Sequence, residues 1–333
     1  MQRRLRIRFA VALSAVLVGL GPSFSVDAEE DTSVYPSRSV KLVVPYAAGG
    51  FPDVVARVLG QRLSEQLGQP FVVENKPGAA GIVAGDYVAK AAPDGYTLLL
   101  TDAQLWGITP LITKNPPFNP KNDFEPVGLL ATASNYFTIA GSMPVSNFNE
   151  FVALVKSKPL QYNYGSVGVG SINHLAMEYI ISLTQMKMVH VPYKGSSQVV
   201  PALLAGEVVA SANLSMSVLR PHWQAGTLKV LAVSSAKRSA MTPDVETFAE
   251  LGLPEVNFAG SVGALAPAGT PHGIVAKLSS EFAKAVNDPK SVERLAAISV
   301  EPVGSTPAEF AATMREDRER YAKAAEAARL EPQ

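Results

Sequence analysis

The chain has 333 residues, of which 47% are hydrophobic, and its 29 basic residues are balanced by 29 acidic ones. This balance gives no electrostatic footprint for nucleic acid or for an anionic membrane surface. Cysteine is absent, which excludes disulfides, thiolate–metal sites and lipid attachment at an N-terminal cysteine. A chain of this length and composition can bury the core of two lobes of ordinary size.

The first 28 residues have the layout of a secretory signal peptide. Arginines between Arg3 and Arg8 precede an apolar run over residues 9–20, and small residues follow near Ala28. The apolar run is shorter than the roughly 20 residues that span a bilayer. We therefore predict a signal peptide over residues 1–28 and a mature protein in the periplasm. The alternative is an uncleaved membrane anchor.

The next pattern is a strand that runs through paired glycines into a helix. Residues 40–44 form a nearly continuous apolar run, and apolar residues recur at helical spacing after Pro52. Gly49 and Gly50 allow a tight turn, and Pro52 suits the first turn of a helix. The free N–H groups of that turn favour a phosphate or a carboxylate, although a purely structural turn is the alternative.

The two kinds of pattern then alternate to the end of the chain. Further strands are predicted over residues 71–73, 96–101, 136–140, 162–164, 188–191, 208–213, 228–234, 264–266 and 300–303. Further helices are predicted over residues 82–88, 147–158, 172–183, 199–204, 271–286, 290–297 and 307–328. This order predicts an α/β fold with parallel sheets, in which ligands lie beyond the carboxyl ends of strands.

The sequence has no catalytic motif that we can identify. It lacks a Gly-x-Ser-x-Gly elbow, a phosphate-binding Walker loop and a complete dinucleotide fingerprint. Its four histidines are scattered without the i, i+4 pairing of zinc sites. We therefore predict that the protein is not an enzyme and holds no metal or cofactor.

A second glycine-rich corner lies between a strand and a helix at residues 165–171. Ser171 can cap the helix, while Ser166 and the amides near Gly170 are free to bind an anion. His174, in the first helical turn, either donates to a bound carboxylate or is tied to neighbouring backbone.

Three more positions follow strands in the same way. Tyr193 and Lys194 occupy another corner, where Lys194 either contacts ligand or is solvated. Asp102 either pairs with a ligand ammonium or caps the turn that follows it. Gln104 and Asn213 are further candidates for ligand contact.

Seven segments resemble, in family order, the Bug-type receptors of tripartite tricarboxylate transporters. They are residues 35–38 (YPSR), 43–57 (VVPYAAGGFPDVVAR), 68–81 (GQPFVVENKPGAAG), 93–99 (PDGYTLL), 164–171 (YGSVGVGS), 190–195 (HVPYKG) and 266–271 (APAGTP). The resemblance implies a periplasmic solute-binding protein with the type II Venus flytrap fold. Each of its two lobes would be a mostly parallel sheet flanked by helices.

The resemblance also implies how the chain is divided into lobes and where the ligand binds. Lobe 1 would hold residues 34–137 and 260–333, and lobe 2 residues 138–259. A small organic carboxylate would lie between them and pass to the membrane permease subunits, with the receptor acting as a monomer. Carried over, the corner from Tyr46 to Asp53 in lobe 1 and the loop from Gly165 to Ser171 in lobe 2 would grip one carboxylate of the ligand, and other loops would choose its far end. The predicted contacts are Tyr46, Ala48, Gly49, Gly50, Phe51, Asp53, Ser166, Gly170 and Ser171, together with the candidates His174, Gln104, Tyr193, Lys194 and Asn213.

Two other functions use related scaffolds, namely an exported small-acid hydrolase and a sensory receptor that signals to a two-component kinase. The chain also departs from the family pattern at three positions. Ala48 has no second proline near it, Val209 stands where an Asp is common, and Ser261 stands where an aromatic residue is common. By analogy the last two lie near the hinge or the pocket, so they bear on the choice of ligand.

Overall fold

Strands and helices alternate through residues 34–332, the part of the chain that the computed structural model describes. The predicted signal peptide lies outside this part. Within it, no helix combines the length and apolar character that crossing a bilayer requires.

The strands are β1 (Val40–Val44), β2 (Phe71–Asn75), β3 (Thr97–Thr101), β4 (Phe124–Ala133), β5 (Asn135–Ala140), β6 (Asn163–Ser166), β7 (Val189–Pro192), β8 (Ala210–Ser215), β9 (Leu228–Val233), β10 (Gly260–Pro267) and β11 (Val300–Pro302). The α-helices are α1 (Phe51–Leu67), α2 (Ile82–Ala89), α3 (Thr109–Ile112), α4 (Phe148–Ser157), α5 (Ile172–Thr184), α6 (Ser196–Ala205), α7 (Met216–Gln224), α8 (His272–Asn287), α9 (Pro289–Ala297) and α10 (Pro307–Ala327). A 3-10 turn (Ala79–Gly81) precedes α2, and a π-helix (Gln104–Ile108) precedes α3.

The strands form two sheets. The first sheet has the order β11-β4-β10-β3-β1-β2, and the second sheet has the order β7-β6-β8-β5-β9. The predicted α/β class with mostly parallel sheets is confirmed, since β10 and β11 in the first sheet and β5 in the second are the strands that run against the others. Strand β10 is antiparallel to both of its neighbours in the first sheet, and β5 is antiparallel to both of its neighbours in the second. Both are strands by which the chain enters one sheet from the other. Each runs in the direction opposite to the neighbouring strands of its sheet.

Two elements beside the crossing between the sheets escaped prediction. Strand β4 contains Pro126 and Gly128, which are disfavoured in strand interiors. The register between β4 and β10 shifts at this point, and the bulge accommodates a residue without an N–H. Helix α7 contains Pro221 inside its span, which masked its helical pattern.

Helix α10 links the cores beneath the two sheets. Its Phe310 packs edge-on against Trp106 of the π-helix at 5.2 Å between ring centroids. Its Tyr321 lies 5.5 Å from Phe258, which in turn packs against Tyr179 of α5. The indole N–H of Trp106 donates to Asp317 Oδ2 at 3.0 Å. The last helix therefore braces elements of both sheets.

Candidate functional site

A cavity of about 510 Å³ opens between the two sheets. Residues from the β1–α1 corner and the start of the π-helix form one wall, and the first turns of α5, α6 and α7 form the other. Ser134 and Gly260, where the chain crosses between the sheets, also line it. We call this cavity the cleft.

Four helices of nine or more residues present their first turns to the cleft. Phe51 begins α1, Ile172 begins α5, Ser196 begins α6 and Met216 begins α7, and all four line it. The first N–H groups of a helix have no partner inside that helix, and the aligned peptide dipoles make this end positive. Among the described residues lining the cleft there is no Lys, Arg or His. Its attraction for anions therefore comes from backbone.

The first corner is built around Asp53, which is 1% exposed. Gly49 adopts a φ of +90°, and its N–H donates to Asp53 Oδ2 at 2.8 Å. Arg57 donates to both carboxylate oxygens, and Asn75 donates to Oδ1 at 2.7 Å. Burial favours the neutral acid, yet these hydrogen bonds outweigh it and hold the pKa of Asp53 below its ordinary value. Asp53 thus supports the corner from behind.

Asp53→Ala is expected to destabilise the protein by about 2 kcal/mol, because it leaves the Gly49 N–H, Arg57 and Asn75 without their common acceptor. The pKa of Asp53 is lowered by folding, so its stabilisation is present above the ordinary pKa of a carboxyl and is lost as the pH falls through the folded value. Urea unfolding at pH 7 and pH 3 measures both effects.

A matched control lies on the same helix. Glu65→Ala removes an exposed ion pair with Arg62, a contact that contributes little to stability, and should cost much less than Asp53→Ala. Equal losses for Asp53→Ala and Glu65→Ala at pH 7 would contradict a supporting role for Asp53.

The second corner is held by a similar local network. Ser171 Oγ accepts from the His174 N–H at 3.3 Å and donates to Gly168 O at 2.7 Å. Gly170, with a φ of +76°, donates its N–H to His174 Nδ1 at 3.3 Å. His174 is therefore tied to neighbouring backbone, one of its two predicted roles. Its ring stacks on His190 at 4.1 Å between centroids.

His190 completes this support beneath the loop. Its Nε2 lies 2.7 Å from Ser166 Oγ. Burial lowers the pKa of His174, and burial together with the neighbouring His174 lowers that of His190 to about 4. Both rings are neutral at physiological pH and act as uncharged packing beneath the second corner.

The structure brings six of the predicted site residues together on the cleft wall and leaves eight behind or beside it. Those on the wall are Tyr46, Gly49, Phe51, Gln104, Ser171 and Asn213. Those outside the lining are Ala48, Gly50, Asp53, Ser166, Gly170, His174, Tyr193 and Lys194. The Tyr193 hydroxyl donates to Glu207, and the exposed Lys194 donates its backbone N–H to Gln198. Which of the fourteen contact ligand remains a prediction.

Sequence reasoning missed two asparagines that shape the cleft. Asn173 Nδ2 donates to the backbone oxygens of Ala212 and Asn213, at 2.9 Å each. This fixes Asn213 in the left-handed region, with a φ of +62°. Asn135 Nδ2 donates to Phe258 O and fastens one crossing segment to the other. The polar first turn of α5 was a signal that could have identified Asn173. Asn135 lies at a crossing between the sheets that could not be recognised, because β4, the strand before it, was not predicted.

Asp102 lines the cleft and also caps the turn after β3. Its Oδ1 accepts from the Tyr46 hydroxyl at 2.5 Å and from the Gln104 N–H at 3.1 Å. Burial raises the pKa of its carboxyl to about 6, although both hydrogen bonds oppose the rise. The capping alternative predicted from the sequence is therefore observed, and the same side chain remains at the cleft wall.

The departures from the family pattern fall in different places. Ser261 lines the cleft, and its Oγ has no partner within the described part of the chain. Val209 lies just before β8, where its backbone pairs with Ala140 and Asn163, and it is not among the lining residues. Ser261 therefore bears on ligand choice more directly than Val209 does.

Comparisons with known proteins agree with this architecture. The sequence model described as "Tripartite tricarboxylate transporter family receptor" matches residues 55–329. The chain is 31% identical to the protein BugT of Bordetella pertussis, with 95% of each chain covered. It is 32% identical to R. palustris Rpa4515, solved with adipate, with a TM-score of 0.75 and coverage of 90% of this chain and 100% of that one. It is 30% identical to MatC from Rhodopseudomonas palustris, solved with bound malate, with a TM-score of 0.70 and coverage of 87% and 99%.

Proposed function

This chain belongs to the family of tripartite tricarboxylate transporter receptors, and from this premise we propose that it captures a small organic carboxylate in the cleft and delivers it to membrane permease subunits. The chain is also 32% identical to the solved periplasmic binding protein BugD, and this likeness supports a place in the periplasm. A receptor of this kind returns its ligand chemically unchanged.

The two sheets support a division into lobes. All strands of the first sheet lie within residues 40–133 and 260–302, and all strands of the second lie within residues 135–233. We therefore place the crossings at Ser134 and near Ala259, which both line the cleft. Rotation about these two crossings would open and close the cleft.

The observation that carries the proposal is the convergence of four helix N-termini, one from the first lobe and three from the second, on a cleft with no basic side chain among its described lining residues. Micromolar affinity requires about 8 kcal/mol. A hydrogen bond to a charged group contributes about 1.5–3 kcal/mol before ordering costs are deducted. One corner offers too few donors, so donors from both lobes are needed. Ligand would thus select the closed form that a permease recognises.

A thermal-shift screen of the mature protein tests this function. The panel contains mono-, di- and tricarboxylates, aromatic acids and amino acids, and at least one is expected to raise the Tm in a concentration-dependent way. Chromatography of the incubated ligand should recover it unchanged. A panel without any response would contradict carboxylate capture, and turnover of a bound acid would favour the hydrolase alternative.

A further inference from the structure

The cleft wall carries a negatively charged side chain, whereas a site that binds a polycarboxylate needs positive charge. Asp102 is the one carboxylate among the described lining residues, and no basic side chain accompanies it. Tyr46, the other ionisable group there, is neutral because burial raises its pKa well above the ordinary value. If helix N-termini hold one carboxylate of a ligand, a second carboxylate in the same cavity would face Asp102 without a compensating cation.

The carboxylate of Asp102 is oriented by hydrogen bonds that leave one oxygen without a donor from another residue. The Tyr46 hydroxyl and the Gln104 N–H both donate to Oδ1. No ion pair within residues 34–332 includes Asp102. Its Oδ2 is therefore an oriented acceptor at the cleft wall, and a cationic partner would stabilise this half-buried carboxylate.

Two further side chains of the cleft lack partners. Asn213 is 8% exposed and Ser261 is 7% exposed, and both line the cavity. Asn213 Oδ1 and Ser261 Oγ have no hydrogen-bond partner in the described part of the protein. Buried polar atoms are rarely left unpaired, and each unpaired one costs about 1–3 kcal/mol. Asn213 also has a left-handed backbone, and such strain concentrates at ligand sites.

We propose that Asp102 binds a protonated amine of the ligand, so that the receptor selects zwitterionic monocarboxylates over di- and tricarboxylates. This inference rests on the proposed function, because it assumes that the helix N-termini hold the ligand's carboxylate. An ammonium supplies three N–H donors to a cleft whose side chains offer unpaired acceptors.

The pH dependence of binding follows from the same geometry. Asp102 titrates near pH 6, and the titratable groups beside it are Tyr46 and Tyr321, whose pKa values burial raises. An ammonium binds the ionised carboxylate, so amino-acid affinity rises as the pH increases from 5 to 7. A dicarboxylate would favour the protonated acid, so its affinity would fall over the same interval. The two ligand classes therefore give opposite slopes.

Probes with equal spacers separate the classes by calorimetry. In 5-aminopentanoate, pentanoate and adipate the carboxylate carries a chain of four further carbons before any second group, and in 3-aminopropanoate, propanoate and succinate it carries two. Alanine, lactate and malate complete the panel. At pH 7.5, at least one amino acid is expected to bind tenfold or more tightly than the diacid or hydroxy acid of its set. Asp102→Asn should weaken that amino acid at least tenfold and flatten its pH profile. The control Asp244→Asn, at an exposed aspartate, should change neither.

The results that overturn the inference differ from those that overturn the proposed function. Tighter binding of diacids than of amino acids, or an unchanged amino-acid affinity in Asp102→Asn, refutes the role of Asp102 while leaving carboxylate capture intact. Silence from every probe, both here and in the thermal-shift screen, refutes both. If Asp102→Asn does not fold, the slope of wild-type affinity against pH decides, because a fall in amino-acid affinity from pH 5 to pH 7 contradicts pairing with Asp102.

Discussion

Gly263→Ala is expected to destabilise the protein by about 3 kcal/mol, the upper end of the usual cost of overpacking a core. An ideal Cβ at Gly263, in the middle of β10, would lie 2.1 Å from Cζ of Phe310. The Phe310 ring is fully buried and packs edge-on against Trp106, so it has no room to move away. Thermal or urea unfolding of the purified variant measures the loss.

A compensating substitution tests the cause. Phe310→Leu shortens the obstructing side chain. The double variant Gly263→Ala/Phe310→Leu should therefore lose about 1–2 kcal/mol less stability than the two single variants lose together. Gly195→Ala is the control, since Gly195 has an extended backbone and an added Cβ would meet only Ser197 Oγ at 3.8 Å. Its cost should not exceed about 1 kcal/mol. A Gly263→Ala protein as stable as the Gly195→Ala protein would contradict the packing of α10 on β10.

The parts of the fold that could be predicted are those encoded within short segments. The β1–α1 corner is one, because an apolar run, paired glycines and a proline at the start of a helix lie within residues 40–54. The capping of α5 by Ser171 and of α10 by Thr306 is likewise local. Such features require no knowledge of what lies elsewhere in the chain.

The mixed character of the sheets could not be predicted in this way. It depends on β4, whose Pro126 is tolerated only because a bulge in its pairing with β10 absorbs the missing N–H. That partner lies more than a hundred residues away along the chain. Because β4 was not predicted, the crossing at Ser134 could not be recognised from the sequence, and Asn135 beside it was not identified as a cleft residue.

The candidate site shows the same limit at the level of single atoms. The sequence places Asp53 and Gly49 in the anion-binding corner. Only the structure shows that the Gly49 N–H donates its hydrogen bond to the Asp53 carboxylate. For Asp102 the sequence offers turn capping and ligand pairing as alternatives. The structure makes them compatible, because the donors of Tyr46 and Gln104 both use Oδ1.

Gln104→Lys is expected to reverse the ligand preference of the cleft. Gln104 lines the cavity next to Asp102, and its backbone N–H, which the substitution keeps, donates to that carboxylate. The new ammonium would pair with Asp102 and take the place proposed for the ligand's amine. Two unit charges 4 Å apart interact by about 4 kcal/mol at an effective dielectric constant of 20. We therefore expect the affinity ratio of 5-aminopentanoate to adipate to fall at least about a hundredfold.

Gln104→Met separates charge from shape in this experiment, since methionine resembles lysine in length but carries no charge. It should retain the wild-type preference for the amino acid, whereas the lysine variant should favour adipate. Calorimetry of both variants with the matched acids gives the two ratios. If Asp102 controls the ligand electrostatically, a cation placed beside it must change whether the cavity accepts an ammonium or a second carboxylate. An equal affinity ratio of 5-aminopentanoate to adipate in the lysine and methionine variants would therefore show that Asp102 exerts no such control.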